Sequence, residues 1–490
     1  MADQDSAPST PRQPRNDPSA WITEGSLLSA VWRLSLPMTV TMVFQNMLML
    51  VDMFFVGKLG KVPIAAVGTC GVIMGVIHML ALGVTTGCTA FVTRAIGAGD
   101  RAGAERAAAQ SLLMGLTLSA GVAAFGVPLA GSLLGLLKAA PEVVASGRIY
   151  LQIMCGGSAA MVLAFVFGSI LRGAGDARTP LVMVIIANLV NLVLDPVLIF
   201  GLLGAPRLGV AGSAWATVIS RSVATLVLAW IFFVRGHGHF HLSPAGMLPD
   251  FRTILGILRV GIFGSGQMLL RNVSALVLMR IVTAFGTVAV AAYTVGLRLW
   301  FMVLMLGMGV GGAAATLVGQ NLGAGRTNRA ARSAWLTATT YASACAVLSV
   351  VFMVFAGRLI GLFNADPQVV ETGATMLRWV APTFVFLAFS VVLGNAMNGA
   401  GDTLLPLVVV AVAVLVVRVP LALGLSAAWN SADGVWAALA ISSVLQGLLY
   451  AGAFLSGRWK RVYPKLGPTR TIPKEEDLPP LARGQRDLNE

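Results

Sequence analysis

Charged residues are scarce in this sequence. Asp, Glu, Lys and Arg together make up 11% of the 490 residues, whereas hydrophobic residues make up 57% and the mean hydropathy is +0.83. A soluble domain has about 25% charged residues on average, so the composition excludes a soluble globular protein and indicates one embedded in lipid. The net charge of +14 would favour nucleic-acid binding in a soluble chain, and we expect no nucleic-acid partner here.

Cysteine is also rare. The four cysteines fall in apolar stretches without CxxC spacing, which argues against a disulfide framework or a zinc site. They are Cys70, Cys88, Cys155 and Cys345. The first twenty residues contain no apolar core, so we do not expect a cleavable signal peptide. Three alternating histidines in a central loop, His237, His239 and His241, could bind a metal, but histidines in a short polar loop are more often solvated.

Motifs typical of soluble enzymes are missing. The sequence contains no HExxH, GxSxG or P-loop GKS/T pattern. Residues 307–312 match GxGxxG, but they lie in an apolar stretch with no preceding strand, so close helix packing explains them better than dinucleotide binding. Without a nucleotide site, we expect no enzyme activity and no cofactor, only a proton or sodium gradient as the energy source.

Twelve apolar stretches are long enough to cross a hydrocarbon core of about 30 Å. They predict helices at residues 34–57, 64–91, 107–135, 143–171, 180–202, 209–234, 254–283, 288–318, 333–361, 369–397, 405–426 and 433–456. The predicted fold is therefore an all-α polytopic membrane protein with twelve transmembrane helices.

Basic residues are concentrated in the N-terminal arm, alternate loops and the C-terminal tail. The other loops have only Lys58, Lys61, Lys138, Arg148, Arg207 and Arg358. The positive-inside rule then places both termini in the cytoplasm and the protein in the inner (plasma) membrane.

The two halves of the chain repeat with an offset of 226 residues. Gly83 aligns with Gly309 (309 − 83 = 226) and Gly97 with Gly323 (323 − 97 = 226), and RGAGD at 172–176 aligns with NGAGD at 398–402. The predicted units are a disordered cytoplasmic arm (1–30), a six-helix N-lobe (31–234), a flexible cytoplasmic loop (235–253), a six-helix C-lobe (254–456) and a basic disordered tail (457–490). Because each repeat has an even number of helices, both lobes have the same orientation, and a cavity between or within them would suit alternating access.

Only two of the twenty acidic residues, Asp52 and Asp195, lie well inside predicted spans. A carboxylate in hydrocarbon is costly and normally marks an ion or substrate path, although one at a helix end reaches headgroups. Helical spacing places Asp52 on one face with two further residues, Gln45 and Met49. The same holds for Asp195 with Asn188 and Asn191, so each helix carries a polar stripe.

Prolines and arginines within the spans allow two interpretations each. Pro37 and Pro196 leave a backbone carbonyl free and allow their helices to bend, or they only shape packing. The C-lobe lacks equivalents of the two acids and contains Arg271, Arg298 and Arg418 instead, with Arg271 at the repeat position of Gln45. These arginines bind an anionic group if they line a cavity, or they extend from helix ends to the headgroups.

The sequence resembles the multidrug and toxic compound extrusion (MATE) transporters over nearly all of residues 30–460. The resemblance rests on LVDMFFVG at 50–57, the RGAGD and NGAGD loops, LDPVLIFG at 194–201 and GVAGSAWAT at 209–217. It implies a V-shaped pair of six-helix lobes that export cationic, often aromatic compounds in exchange for protons or sodium. One departure is Gly168, where the family often has a polar residue.

The N-lobe acids resemble the DinF-like branch of that family. Carried over residue by residue, the coupling cluster comprises Asp52, Asn191, Asp195 and Thr217, and the substrate-binding candidates are Gln45, Met49, Asn188 and Arg271. We expect a monomer that contacts membrane lipids and exports small organic cations by protonation of its N-lobe aspartates. The main alternative is a flippase or exporter for a lipid-linked or anionic substrate held by the C-lobe arginines. A membrane-embedded enzyme is disfavoured because His78 is the one histidine within a predicted span.

Overall fold

A computed structural model describes residues 20–236, 240, 242 and 247–466, with side chains described as far as residue 462. Six helical spans form the N-lobe: α1 (Leu27–Gly57), α2 (Lys61–Gly97), α3 (Arg101–Leu136), α4 (Pro141–Gly156 and Ser158–Gly173), α5 (Arg178–Phe200) and α6 (Val210–Arg235). Six form the C-lobe: α7 (Phe251–Val282), α8 (Gly286–Gly323), α9 (Thr327–Val354 and Ala356–Gly361), α10 (Pro367–Gly399), α11 (Leu404–Trp429) and α12 (Asp433–Leu455).

The count of twelve spans depends on two breaks. The apolar segment Phe251–Gly323 has 73 residues and as one helix would be about 110 Å long, several times the membrane thickness. A 3₁₀ turn at Thr283–Phe285, followed by Gly286 with φ of 89°, divides it into α7 and α8. The two parts of α4 meet at 46° and together make one span. The predicted all-α fold with twelve helices in two repeats is confirmed.

The lobes meet along α1, α2, α7 and α8, and the repeat symmetry is visible in their backbone contacts. A Cβ added to Gly97 would lie 2.7 Å from the carbonyl carbon of Gln320, and one added to Gly323 would lie 3.0 Å from that of Arg94. Both relations follow the same offset, since 94 + 226 = 320 and 97 + 226 = 323. The glycines therefore let α2 and α8 cross with their backbones in contact, close to a pseudo-twofold axis.

Polar side chains close the lobes at the end where α2 and α8 cross. We call this end the terminal side, because the described chain begins and ends there. Arg94 donates to the carbonyl of Ala400, and the amide of Gln320 donates to the carbonyl of Gly173 at 2.8 Å. Each bond reaches from one lobe to the glycine-rich loop of the other, so the two lobes are held together on the terminal side.

A short N-terminal segment lies across the same junction. This strap, residues 20–26, contains the single-turn helix Ala20–Thr23, and its Ile22 side chain is fully buried. Ile22 faces Gly175 of the N-lobe, where an added Cβ would lie 2.8 Å from its Cδ1.

Two C-lobe arginines hold the strap by its backbone. Arg326 donates to the carbonyl of Thr23 at 2.7 Å and forms an ion pair with Glu24 at 2.7 Å. Arg329 donates to the carbonyls of Ile22, at 3.1 Å, and Gly25. The strap is thus bonded to one lobe and buried against the other.

Three segments are more ordered than the sequence predicts. Residues 20–30 of the arm expected to be disordered form the strap and the first turn of α1, whereas 1–19 lie outside the described residues. The tail begins with a helix, Arg458–Leu466, in which the buried Trp459 stacks on Phe454 with ring centroids 4.6 Å apart. In the central loop, Phe240 and Leu242 are buried in the N-lobe core. In each case a large apolar side chain anchors a segment whose average composition is polar.

The glycine contact at the lobe junction is testable by a single methyl group. We expect Gly97→Ala to lower the melting temperature of the detergent-purified protein by several degrees, because the methyl would overlap the backbone of Gln320. Gly71→Ala in the same helix is the control, since no atom lies within 4 Å of its added Cβ and alanine favours a helix more than glycine does. Equal melting temperatures for the two variants would contradict the close approach.

Candidate functional site

Four polar side chains from three N-lobe helices meet within the membrane-spanning region. Thr217 on α6 donates its hydroxyl proton to Oδ2 of Asp52 on α1 at 3.1 Å. The side chains of Asp195 and Asn191 on α5 lie beside the Asp52 carboxyl. We call Asp52, Asn191, Asp195 and Thr217 the N-lobe carboxylate cluster. The structure brings together all four residues that the family resemblance implied.

Local packing explains why these helices converge. Asn188, one turn before Asn191 on α5, donates to the backbone carbonyl of Phe44 on α1 at 2.7 Å and ties the two helices together. At the start of α6, a Cβ added to Gly212 would lie 2.6 Å from the carbonyl carbon of Leu198. Glycine at this position therefore allows α6 to approach α5 closely, which places Thr217 beside the carboxylates.

The cluster is buried and its oxygen atoms are not saturated with donors. Asn191 and Asp195 have no exposed surface, and Asp52 is half-buried. Among the described residues, Oδ1 of Asp52, both carboxylate oxygens of Asp195 and the side-chain amide of Asn191 have no hydrogen-bond partner. Two adjacent carboxylates repel each other and are costly to bury while both are ionised. A proton shared between them or a small cation would lower this cost.

Three residues near the cluster were missed by the sequence analysis. Arg221, one helical turn after Thr217, places its positive charge within electrostatic range of Asp52. Tyr150 on α4 and His78 on α2 also lie within range of the Arg221 charge. The signal for Arg221 was present, because it lies four residues after Thr217 in a predicted helix and therefore on the same face. The arginines singled out within the predicted spans all belong to the C-lobe.

Among the described residues, none of the remaining candidates forms a hydrogen bond to the cluster. Gln45 is half-buried and Met49 is 66% exposed, so α1 does not present a continuous buried stripe down to Asp52. Asn188 acts in helix packing through its bond to Phe44. Arg271 lies in the C-lobe beside Tyr450.

The two prolines lie inside continuous helices. Pro37 is within α1 and Pro196 is within α5. The carbonyl of Pro37 accepts a hydrogen bond from the Thr41 hydroxyl at 2.7 Å.

The described residues contain no group of three or more potential metal ligands, and the loop histidines 237, 239 and 241 lie outside them.

Comparison with known proteins agrees with this architecture. A family model described as MatE matches residues 37–197 and again residues 265–423, so each lobe matches the same model. The chain belongs to the MATE family. It is thus a multidrug efflux transporter that spans the membrane many times, and it is not an enzyme.

Individual relatives cover nearly the whole chain. A probable multidrug resistance protein NorM of Thermotoga maritima is 28% identical over 441 residues, covering 88% of this chain and 92% of that protein. A protein of Shewanella oneidensis named as an FAD transporter is 28% identical over 402 residues, covering 81% of this chain and 88% of its own length. A crystal structure of a MATE transporter in the bent conformation has a TM-score of 0.84 at 25% identity, covering 91% of this chain and 98% of that one.

The hydroxyl of Thr217 provides a test of the cluster. We expect Thr217→Val to lower the export rate of a fluorescent substrate about tenfold, because it removes a hydrogen bond to a buried charged group while keeping the side-chain shape. Thr217→Ser retains the donor and is expected to export at close to the original rate. Rates are compared in cells with equal amounts of transporter in the membrane. A valine variant as active as the serine variant would show that the hydroxyl has no role in transport.

Proposed function

We propose that this MATE transporter exports cationic amphiphilic organic compounds in exchange for protons, through the N-lobe carboxylate cluster. The observation that carries the proposal is the closeness of the Asp52 and Asp195 carboxyls, which come from two different helices, with buried oxygens that lack donors. In the DinF-like branch, which this chain resembles, the corresponding residues couple transport to the ion. Sodium remains the alternative coupling ion, because carboxylate, amide and hydroxyl oxygens also suit a hard cation.

Charge balance indicates how one proton could switch the cluster. With both carboxylates ionised and Arg221 charged, the three groups have a net charge of −1. One proton neutralises this charge, and so does the single positive charge of an organic cation. Proton and substrate therefore compete for the same negative charge, and the two carboxyls titrate as a pair rather than separately.

Bending of α1 at Pro37 would connect this switch to substrate release. Near Pro37, α1 is held against the C-lobe, since the Thr39 hydroxyl bonds to the carbonyl of Leu306 at 3.5 Å. Beyond it, α1 is held against α5 through the bond from Asn188 to Phe44. Pro37 precedes both attachments along α1 and lacks the backbone N–H that would stiffen the helix. The MATE structure named for its bent conformation supports such bending in this fold.

The terminal side is proposed to be cytoplasmic and the membrane the inner (plasma) membrane. The support is the excess of Lys and Arg in the loops on that side. Because the lobes are held together there by Arg94, Gln320 and the strap, the conformation described is closed toward the cytoplasm.

Export of an anionic or lipid-linked compound is the alternative function. The Shewanella relative named as an FAD transporter supports it to the extent that FAD carries phosphate groups. The alternative depends on the C-lobe arginines, whereas the carboxylate cluster favours cation export.

Replacing each carboxyl by an amide tests ion coupling. We expect Asp52→Asn and Asp195→Asn each to abolish proton-driven uptake of a fluorescent cation into everted membrane vesicles, because the amide neither binds nor releases the proton. Glu371→Gln is the matched control, since Glu371 is an exposed carboxylate on α10 and its loss should leave uptake unchanged. The same vesicles are then given a sodium gradient in place of the proton gradient.

The gradients distinguish the outcomes. Uptake driven by the proton gradient alone supports proton coupling. Uptake driven by the sodium gradient alone indicates that sodium is the coupling ion at the same cluster. Uptake by both aspartate variants at the rate of the control would overturn the proposal.

A further inference from the structure

The spanning region of the C-lobe contains two arginines within electrostatic range of each other. Arg271 lies on α7 and Arg418 on α11, and the positive charge of each acts on the other. Neither forms an ion pair with any described residue. Four of the described acids of this lobe, Asp250, Asp366, Asp402 and Asp433, lie in loops or in the first turns of helices, and Glu371 is exposed in the second turn of α10. Two like charges are thus held in a low-dielectric region without a compensating carboxylate.

Neutral groups hold these arginines in place. Arg418 donates from Nε to Oγ of Ser442 at 2.8 Å, and Ser442 itself donates to the carbonyl of Leu439. The Tyr450 hydroxyl, which bonds to the carbonyl of Pro406 at 3.3 Å, faces Arg271. These contacts orient the side chains but leave their positive charge unbalanced.

Part of the Arg271 guanidinium lies away from solvent. Its Nε is buried and has no hydrogen-bond partner among the described residues. An arginine that extends toward the membrane surface has a solvated head, and its nitrogen atoms are exposed there. A buried guanidinium nitrogen without an acceptor indicates a position prepared for one.

The backbone around Arg418 differs from that of its repeat. Residues Ala411–Arg418 of α11 are π-helical, whereas the equivalent residues 185–192 (411 − 226 and 418 − 226) lie in the regular α-helix of α5. Short π-helical segments inside α-helices often occur at functional sites, because they turn the following side chains to a new face. Here the last residue of the π-helical segment is Arg418 itself.

The three residues of this C-lobe group have no counterpart in the N-lobe. Subtracting 226 places Gln45 at the position of Arg271, Leu192 at that of Arg418 and Ala224 at that of Tyr450. The lobes therefore separate charge: acids meet in one and arginines in the other.

We propose that Arg271 and Arg418, with Tyr450 orienting Arg271, form a binding site for an oxyanion group, a carboxylate or phosphate, on a transported substrate. Guanidinium groups bind such anions with paired N–H donors in a geometry that lysine or a neutral side chain does not reproduce. The inference rests on the proposed export function and extends it: among amphiphilic compounds with a cationic group, those that also carry an oxyanion are bound through both lobes.

A matched pair of dyes separates the oxyanion from the rest of the substrate. A rhodamine with a free carboxylate and its ethyl ester share the same cationic chromophore and differ in one negative charge. We expect Arg271→Gln and Arg418→Gln, assayed in proteoliposomes, to reduce transport of the carboxylate dye about tenfold or more relative to the ester. The control is Arg298→Gln, because Arg298 is an exposed arginine of the same lobe and should leave the ratio of the two rates unchanged.

A second pair of compounds distinguishes phosphate from carboxylate. Riboflavin and flavin mononucleotide differ in a phosphate monoester, and each is added as a competitor of the ester dye. Stronger competition by the mononucleotide, lost in the two arginine variants, assigns the site to phosphate. If only the carboxylate dye depends on the arginines, the site is specific for carboxylates.

The outcomes separate this site from ion coupling and from a structural role. An equal decrease for acid and ester, or no decrease for either, overturns the oxyanion site. Asp52→Asn is expected to stop proton-driven transport of both dyes. If transport continues, the coupling proposal is contradicted. The ratio of the acid rate to the ester rate still tests the oxyanion site independently. If a glutamine variant does not fold, Arg418→Lys is measured in its place. This variant retains the positive charge and is expected to keep part of the preference for the acid dye. Complete loss of that preference would show that charge alone does not bind the dye.

Discussion

The cost of holding a charge away from water governs the arrangement of this transporter. The apolar spans can retain a carboxylate or a guanidinium only where neighbouring helices supply donors, acceptors or an opposite charge. In the N-lobe, Thr217, Asn191 and Arg221 surround two carboxyls. In the C-lobe, Ser442 and Tyr450 surround two guanidiniums. Each lobe thus holds a local excess of one sign, and an arriving ion or substrate supplies the other.

The duplication has preserved backbone contacts and altered side-chain chemistry. Gly97 and Gly323 retain their reciprocal contacts at the lobe junction, because any side chain there would force the helices apart. The positions that face the interior of each lobe tolerate exchange, provided that a polar group finds partners. For this reason Gln45 and Arg271 occupy equivalent positions in lobes of opposite charge.

Much of the fold and part of the site could be predicted from the sequence. The hydropathy pattern predicts twelve spans, and the 226-residue offset predicts their duplication, because both depend on properties that extend along the chain. Asp52 and Asp195 are conspicuous because acids are rare in hydrocarbon. Arg221 was missed because an arginine within a span has a second explanation at the headgroups. The π-helical turn before Arg418 and the strap depend on tertiary contacts that leave no periodic signal in the sequence.

The strap has an energetic consequence for opening on the terminal side. Arg326 and Arg329 hold it through backbone carbonyls, and those bonds can be replaced by bonds to water. The main loss on detachment is the burial of one isoleucine, about 2 to 3 kcal/mol. One elementary charge moving through a membrane potential of 100 mV releases about 2.3 kcal/mol. A single ion crossing the membrane therefore supplies roughly the work needed to withdraw Ile22 from the junction between the lobes.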